Sequence, residues 1–216
     1  MKTKQTHYYQ NVRKEMLELL PTGAKIKRVA DIGCGEGYFA RALKDTTGAE
    51  VWGIEIEESA AKEAAKRLDK VINAPIEQAL VKMPANAFDV IYCNDVLEHL
   101  YDPEDAVRKL KGKLKKGGLL ISSIPNVRYF HTFIGLVLGR EWEYTHDGVL
   151  DFTHLRFFTD KSIINMFERA GYSVVMQKGI NPTTAISMKF KILNVLLKRK
   201  FDDTQYIQFA TIAKKL

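Results

Sequence analysis

The residues best placed to do chemistry are three glycines, two acids and a few histidines. Gly33, Gly35 and Gly37 lie in DIGCGEG, directly after a short apolar run, and Tyr38 opens a helical pattern. Glycines at this spacing let a ligand approach the backbone more closely than a Cβ would allow. Asp31 precedes the turn, and Glu55 ends a second apolar run about twenty residues on, where an acid accepts hydrogen bonds from ribose hydroxyls. The spacing departs from GxGxxG, in which a helix N-terminus meets a pyrophosphate. An acid beside the turn repels a pyrophosphate and suits a cation. A ligand with a ribose, an ammonium and a sulfonium but no phosphate, such as S-adenosylmethionine, fits better than a nicotinamide dinucleotide.

These residues need a scaffold that brings strand ends together. Apolar runs at 27–32, 49–54, 70–73, 88–93 and 119–124 read as strands. Between them, 38–46, 58–68, 76–82 and 103–114 read as helices, with Ser59 as a cap and Pro103 at a helix start. The run at 88–93 is apolar on both faces, as a buried parallel strand is. This alternation predicts an α/β fold, a mainly parallel sheet with helices on both faces, and a ligand crevice at the C-terminal ends of the first and fourth strands. Residues 7–20 read as a helix ended by Pro21 and Gly23, with His7, Tyr8 and Tyr9 either packing as an N-terminal flap or forming a lid over the glycine turn. After Asn126 come an aromatic helix at 128–138 and a long polar and aromatic loop region at 139–160. A helix at 161–170 capped by Thr159 or Asp160, a strand at 172–177, a basic amphipathic helix at 184–200 and a last strand at 206–213 complete the chain. Ile186, Phe190, Leu193, Leu196 and Leu197 share a face of the basic helix, which is read as a core-packing or dimer element, with membrane or partner docking as the other use.

Four segments, VADIGCGEGYFARAL, WGIEIEESA, FDVIYCNDVLEHLYDP and LKKGGLLISSIPN, resemble the successive motifs of class I S-adenosylmethionine-dependent methyltransferases over roughly residues 8–180. The resemblance implies a Rossmann-like, seven-stranded sheet with an antiparallel last strand. It implies that Gly33, Cys34, Gly35, Gly37 and Tyr38 line the donor, that Asp31 lies near its amino group, and that Glu55 holds the ribose with Ile56 beside the adenine. Ile76 and Glu77 match the segment bordering the adenine, and Asn94 a residue facing the methionine part. Many relatives carry an acid just before Ile76; Pro75 stands there in this chain. GVLDFTHLRFFT, residues 148–159, is similar to a segment of a bacterial subgroup often encoded with polysaccharide glycosyltransferases.

The donor methyl is already electrophilic, so alignment and water exclusion are the main tasks. A hydroxyl acceptor also needs a base, and a histidine of near-neutral pKa suits. The expectation is His154 as base, oriented by Asp151, with His99 of the Glu98–Leu100 segment as the alternative. Tyr129, His146 and Arg156 are expected to contact the acceptor. The bland alternative is a buried network in which Asp151 or Thr153 orients His154 and Arg156 pairs with an acid. No Cys/His spacing suggests zinc and no acidic cluster demands magnesium, so no metal is expected.

With 216 residues, the chain is read as one methyltransferase domain comprising an N-terminal flap at 1–23, an acceptor-side cap at 127–160 and the basic helix at 184–200. Two cysteines and the lack of an apolar leader or spanning run point to the cytoplasm. The charge of +7 reads first as a lysine-rich solvated surface, its basic residues scattered through most of the chain with local concentrations at 109–116 and 189–200. It keeps an RNA substrate as an alternative, although no interleaved aromatics suggest a nucleic-acid groove. The leading expectation is O-methylation of a sugar, glycolipid or secondary metabolite. A non-catalytic donor-binding module and a homodimer remain open.

Overall fold

The computed structural model describes residues 12–216, apart from Thr22, Ala24 and Ala185. The strands are β1 (Arg28–Ile32), β2 (Glu50–Glu55), β3 (Lys70–Asn73), β4 (Phe88–Asn94), β5 (Leu114–Pro125), β6 (Tyr172–Pro182) and β7 (Tyr206–Lys215). They form one seven-stranded sheet in the order β3-β2-β1-β4-β5-β7-β6. Strands β1 to β5 pair in parallel, and β7 is antiparallel to both β5 and β6. The long connection between β6 and β7 lets the last strand enter between β5 and β6, as the resemblance implies.

The helices cover both sheet faces. They are α1 (Lys14–Leu17), α2 (Tyr38–Thr47), α3 (Glu58–Ala64), α4 (Ile76–Lys82), α5 (Pro103–Lys111), α6 (Phe130–Ile134), α7 (Asp160–Arg169) and α8 (Met188–Leu196). One apolar cluster, including Ile32, Ile54, Ile91, Leu110 and Phe167, joins α4, α5 and α7 to the sheet. The other, including Met16, Phe39, Leu43, Val51 and Tyr92, joins α1 and α2 to the opposite face. The chain runs out to β3 at one edge and returns to β4 beside β1. Ile32 of β1 lies level with Ile54 of β2 and Cys93 of β4, so their C-terminal ends open together at the reversal point.

Local stops follow the sequence in most places. Asp102 accepts from the Asp105 N–H at 2.9 Å and Pro103 opens α5. Thr159 and Ser162 form a reciprocal cap on α7. The cap of α3 is Glu57, whose carboxylate takes the Ala60 N–H at 2.8 Å, rather than Ser59. The described part of the expected 7–20 helix is a single turn, with Met16 and Leu19 buried; His7, Tyr8 and Tyr9 lie outside the described residues. The 128–138 helix is α6 continued by a π-helical turn, Gly135–Gly139, and β5 begins before the Gly117-Gly118 pair rather than after it. The basic helix is shorter than expected and none of its residues is buried, so it is not a core-packing element.

Candidate active site

The glycine turn is built at the end of β1. Gly33, Gly35 and Gly37 have φ of 71, 52 and 84°, which glycine adopts without strain. A Cβ on Gly33 would stand 2.6 Å from Val96 Cγ2, so the turn is closed against the segment after β4. The Glu55 carboxylate braces the turn from β2. Its Oε2 accepts from the Gly35 N–H at 2.8 Å and its Oε1 from the Glu57 N–H at 2.9 Å. A carboxylate has about four lone-pair sites, so both oxygens keep capacity for ribose hydroxyls.

A cleft of about 340 Å³ opens above the turn, lined by Asp31, Gly33, Cys34, Gly35, Phe39 and Asn94. Arg13, Glu15, Asp95, Asn181 and Gln208 complete its wall. Two features fit a cationic donor. Asp31 is 2% exposed, and burial, reinforced by nearby Glu55, pushes its carboxyl up to about 8. A carboxylate there lacks a counter-charge, which an ammonium would supply. The buried Asn94 amide has no hydrogen-bond partner at Nδ2 or Oδ1 among the described residues. Burial pushes the Cys34 thiol far above its ordinary value, so Cys34 is a neutral wall.

Other expected donor contacts divide. Ile56 is 68% exposed at the end of β2, free to cover a ring. Ile76 is buried in the core and offers the cleft no side chain, while Glu77 is exposed on α4. The ring of Tyr38 is taken up by Arg67, whose guanidinium stacks 4.4 Å from its centroid and donates to Oη at 3.1 Å. The adjacent Phe39 lines the cleft instead. Arg13 was not foreseen: its guanidinium pairs with Asp95 and donates to Gln208 Oε1 at 3.1 Å, fastening the N-terminal segment over the cleft.

Beyond Asp95 the chain makes a 3-10 turn, Leu97–His99. The 153–156 segment is stitched to it: Leu155 and Arg156 N–H both donate to the Glu98 carbonyl, at 2.9 and 3.0 Å. This brings His99 and His154 edge to face at 4.7 Å. Glu98 is 1% exposed, neither carboxylate oxygen has a hydrogen-bond partner among the described residues, and Oε1 lies 4.0 Å from His154 Nε2. Burial, then Asp95, raises the Glu98 pKa well above the usual carboxylate range.

The partners fix both imidazole tautomers. His154 Nδ1 donates to the Val149 carbonyl at 3.0 Å. Thr153 Oγ1 donates to Asp151 Oδ1 at 2.6 Å, so the hydroxyl is left as an acceptor. That hydroxyl and the Thr153 carbonyl each lie 3.2 Å from His99 Nδ1, which carries its proton toward them. Both Nε2 atoms therefore keep a free lone pair. Asp151 does not orient His154, as the sequence suggested; acting through Thr153, it orients His99. The reason is the short span from 151 to 153, which turns the Asp151 carboxylate back onto its own loop. Burial opposes ionisation of Asp151, but the two Thr153 hydrogen bonds prevail and hold its pKa below the ordinary value. Burial and the neighbouring His154 lower the His99 pKa, leaving it neutral at pH 7.

Glu98, His99 and His154 each offer a ligand atom within 4.8 Å of the others, a grouping that could hold a metal ion. No local spacing signals this convergence, because His154 lies 55 positions beyond His99. The expected acceptor contacts are more dispersed. Arg156 stacks on Tyr101 at 5.2 Å and donates to the Tyr101 carbonyl at 2.6 Å, rather than pairing with an acid. Tyr129 packs on His131, and exposed His146 on Phe152.

Residues 4–177 match the methyltransferase domain family. The chain belongs to that family. A ubiquinone biosynthesis O-methyltransferase of Idiomarina loihiensis is 29% identical over 206 residues, spanning 89% of this chain and 81% of the relative. One of the same description from Coxiella burnetii is 30% identical over 190 residues, with 83% and 77% covered. A crystal structure of an S-adenosylmethionine-dependent methyltransferase from Archaeoglobus fulgidus superposes with a TM-score of 0.71 at 20% identity, covering 94% of this chain and 93% of the other. The protein is a methyltransferase using S-adenosylmethionine, and the buried Asp31, the glycine turn and the orphaned Asn94 amide suit that donor.

Proposed function

We propose that the protein methylates a hydroxyl of a small-molecule acceptor. The observation that carries this reading is the Asp151–Thr153–His99 chain, which leaves a neutral, half-buried imidazole with a free Nε2 four residues beyond the cleft residue Asp95. Bound in the cleft, the donor supplies a methyl group activated by its sulfonium. Asp31 would hold the ammonium and Glu55 the ribose. His99 would accept the acceptor's proton, and His154 would fix its ring edge-on. The printed description of the relatives, O-methyltransferase, supports an oxygen acceptor. Among small molecules, sugar, glycolipid and secondary-metabolite hydroxyls are the classes to test. Lys109 and Lys115 are committed to Asp105 and Asp89, which weakens the charge argument for RNA.

A second reading is favoured by the partnerless Glu98 carboxylate. A divalent cation would be held by Glu98 and the two free Nε2 atoms, with the Val149 and Thr153 carbonyls orienting the imidazoles from behind. The test is turnover with labelled donor and a panel of sugar and phenolic acceptors, with and without chelator. His99→Ala should lower turnover by about 100-fold or more; turnover within about threefold of wild type would remove His99 from the mechanism. Chelation should abolish activity under the second reading and leave it intact under the first.

A further inference from the structure

The 127–140 and 186–201 segments pack together. Phe130 meets Phe190 at 5.0 Å and Phe133 meets Phe201 at 5.3 Å, while Arg128 pairs with Asp203. Neither α6 nor α8 buries a residue. The side of α8 turned toward the protein carries Phe190 and Asn194, the latter accepting from the Phe201 N–H at 2.9 Å. Its outward side carries Met188, Ile192, Val195 and Leu196, which are 70, 57, 66 and 75% exposed. The spacing i, i+4, i+7, i+8 makes them one stripe. Lys189 stands on one flank and Lys191 on the other, and Lys198 follows just past the helix end, all exposed. Leu136, Val137 and Leu138 add exposed apolar surface from the π-helical turn.

Charge is distributed with equal bias. The two segments contain no acid and seven lysines and arginines, as many as the whole chain's excess of +7. Arg128 and Arg199 are paired with Asp203 and Asp202. Lys189, Lys191, Lys198 and Lys200 make no ion pair among the described residues, in contrast to Lys109 and Lys115.

We propose that this face docks on an anionic lipid surface. Helix α8 would lie in the interface with its apolar stripe among the acyl chains and its lysines reaching the phosphates. No helix of the described residues is long and apolar enough to cross a membrane, so the contact is peripheral. The competing occupant is a second copy of the chain. A two-fold contact would set the unpaired Lys189, Lys191, Lys198 and Lys200 against their own copies, which charge opposes.

The test is co-sedimentation of the full chain with phosphatidylcholine vesicles and with vesicles in which a third of the lipid is phosphatidylglycerol. Binding to the anionic vesicles alone is expected, weakening with salt. Replacing Lys189, Lys191 and Lys198 together by Ala should weaken it on the order of 100-fold, and Ile192→Glu should weaken it comparably. Donor affinity should stay unchanged in both variants, because α8 lies away from the cleft and buries no residue. Equal binding to both vesicle types, binding indifferent to these substitutions, or no binding would overturn the proposal. So would a dimer in ultracentrifugation that Ile192→Glu dissociates.

Discussion

Donor affinity should depend steeply on pH through Asp31. Its folded carboxyl is raised to about 8 by burial and by Glu55. The donor-free protein is therefore protonated there at pH 7, whereas a bound ammonium favours the carboxylate. Binding must release that proton. Below pH 7 an α-amino group, of pKa about 7.7–8.0, is still fully charged, so only the protein side titrates. Affinity should then rise by up to tenfold per pH unit, or about 30-fold from pH 5.5 to 7.0. Calorimetry in buffers of different ionisation enthalpy should register close to one proton released. Asp31→Asn should bind the donor weakly and without this dependence. The same shift has a stability consequence. Because the folded pKa lies above the unfolded value, stability is full below about pH 4 and falls as pH rises to about 8; Asp31→Asn should abolish that fall. Donor affinity constant within twofold from pH 5.5 to 7.0, with Asp31→Asn behaving alike, would show that Asp31 does not hold the donor's ammonium.

Other variants probe the supports. Gly33→Ala places a Cβ 2.6 Å from Val96 Cγ2 at a φ of 71° and should cost about 1–3 kcal/mol, read as a lower Tm, with weakened donor binding. Arg13→Ala removes the guanidinium from Asp95 and Gln208; denaturant unfolding should show a loss of about 2 kcal/mol, and KM for the donor should rise more than kcat falls. Glu98→Gln replaces a buried carboxyl of raised pKa by a neutral amide, so the variant should lack the wild type's loss of stability as pH rises through the Glu98 titration. Since the His99 pKa is lowered, the acid limb of kcat/KM for the acceptor, measured at saturating donor so that Asp31 is already ionised, should fall below about 6.5; a limb above 7 would exclude His99 as base.

Sheet and donor cleft were legible because their signals are local. Gly33 to Gly37, Asp31 and Glu55 each sit at a strand end, and strand ends follow from apolar runs. The acceptor side was harder to read because its contacts are not local. His99 and His154 meet only because the backbone of Leu155 and Arg156 is tied to Glu98. Asp151 was paired with the wrong histidine because two residues of spacing to Thr153 carry no signal of where the hydroxyl points. Arg13 reaches Asp95 across 82 residues and Gln208 across 195, beyond any pattern in the chain. Periodicity grouped Phe190 with Leu196, but Phe190 faces inward and Leu196 outward, a choice set by the Phe130 and Phe201 rings.

Methyl transfer to oxygen with His99 as base is tested most directly on the product. The protein is incubated with a donor carrying an isotope-labelled methyl group, sugar and phenolic acceptors, and a cell extract, and the product is read by mass spectrometry and NMR. A base at His99 predicts a labelled O-methyl signal that His99→Ala reduces by about 100-fold or more. A labelled N-methyl or C-methyl product, or an O-methyl product formed at the wild-type rate by His99→Ala, would contradict it.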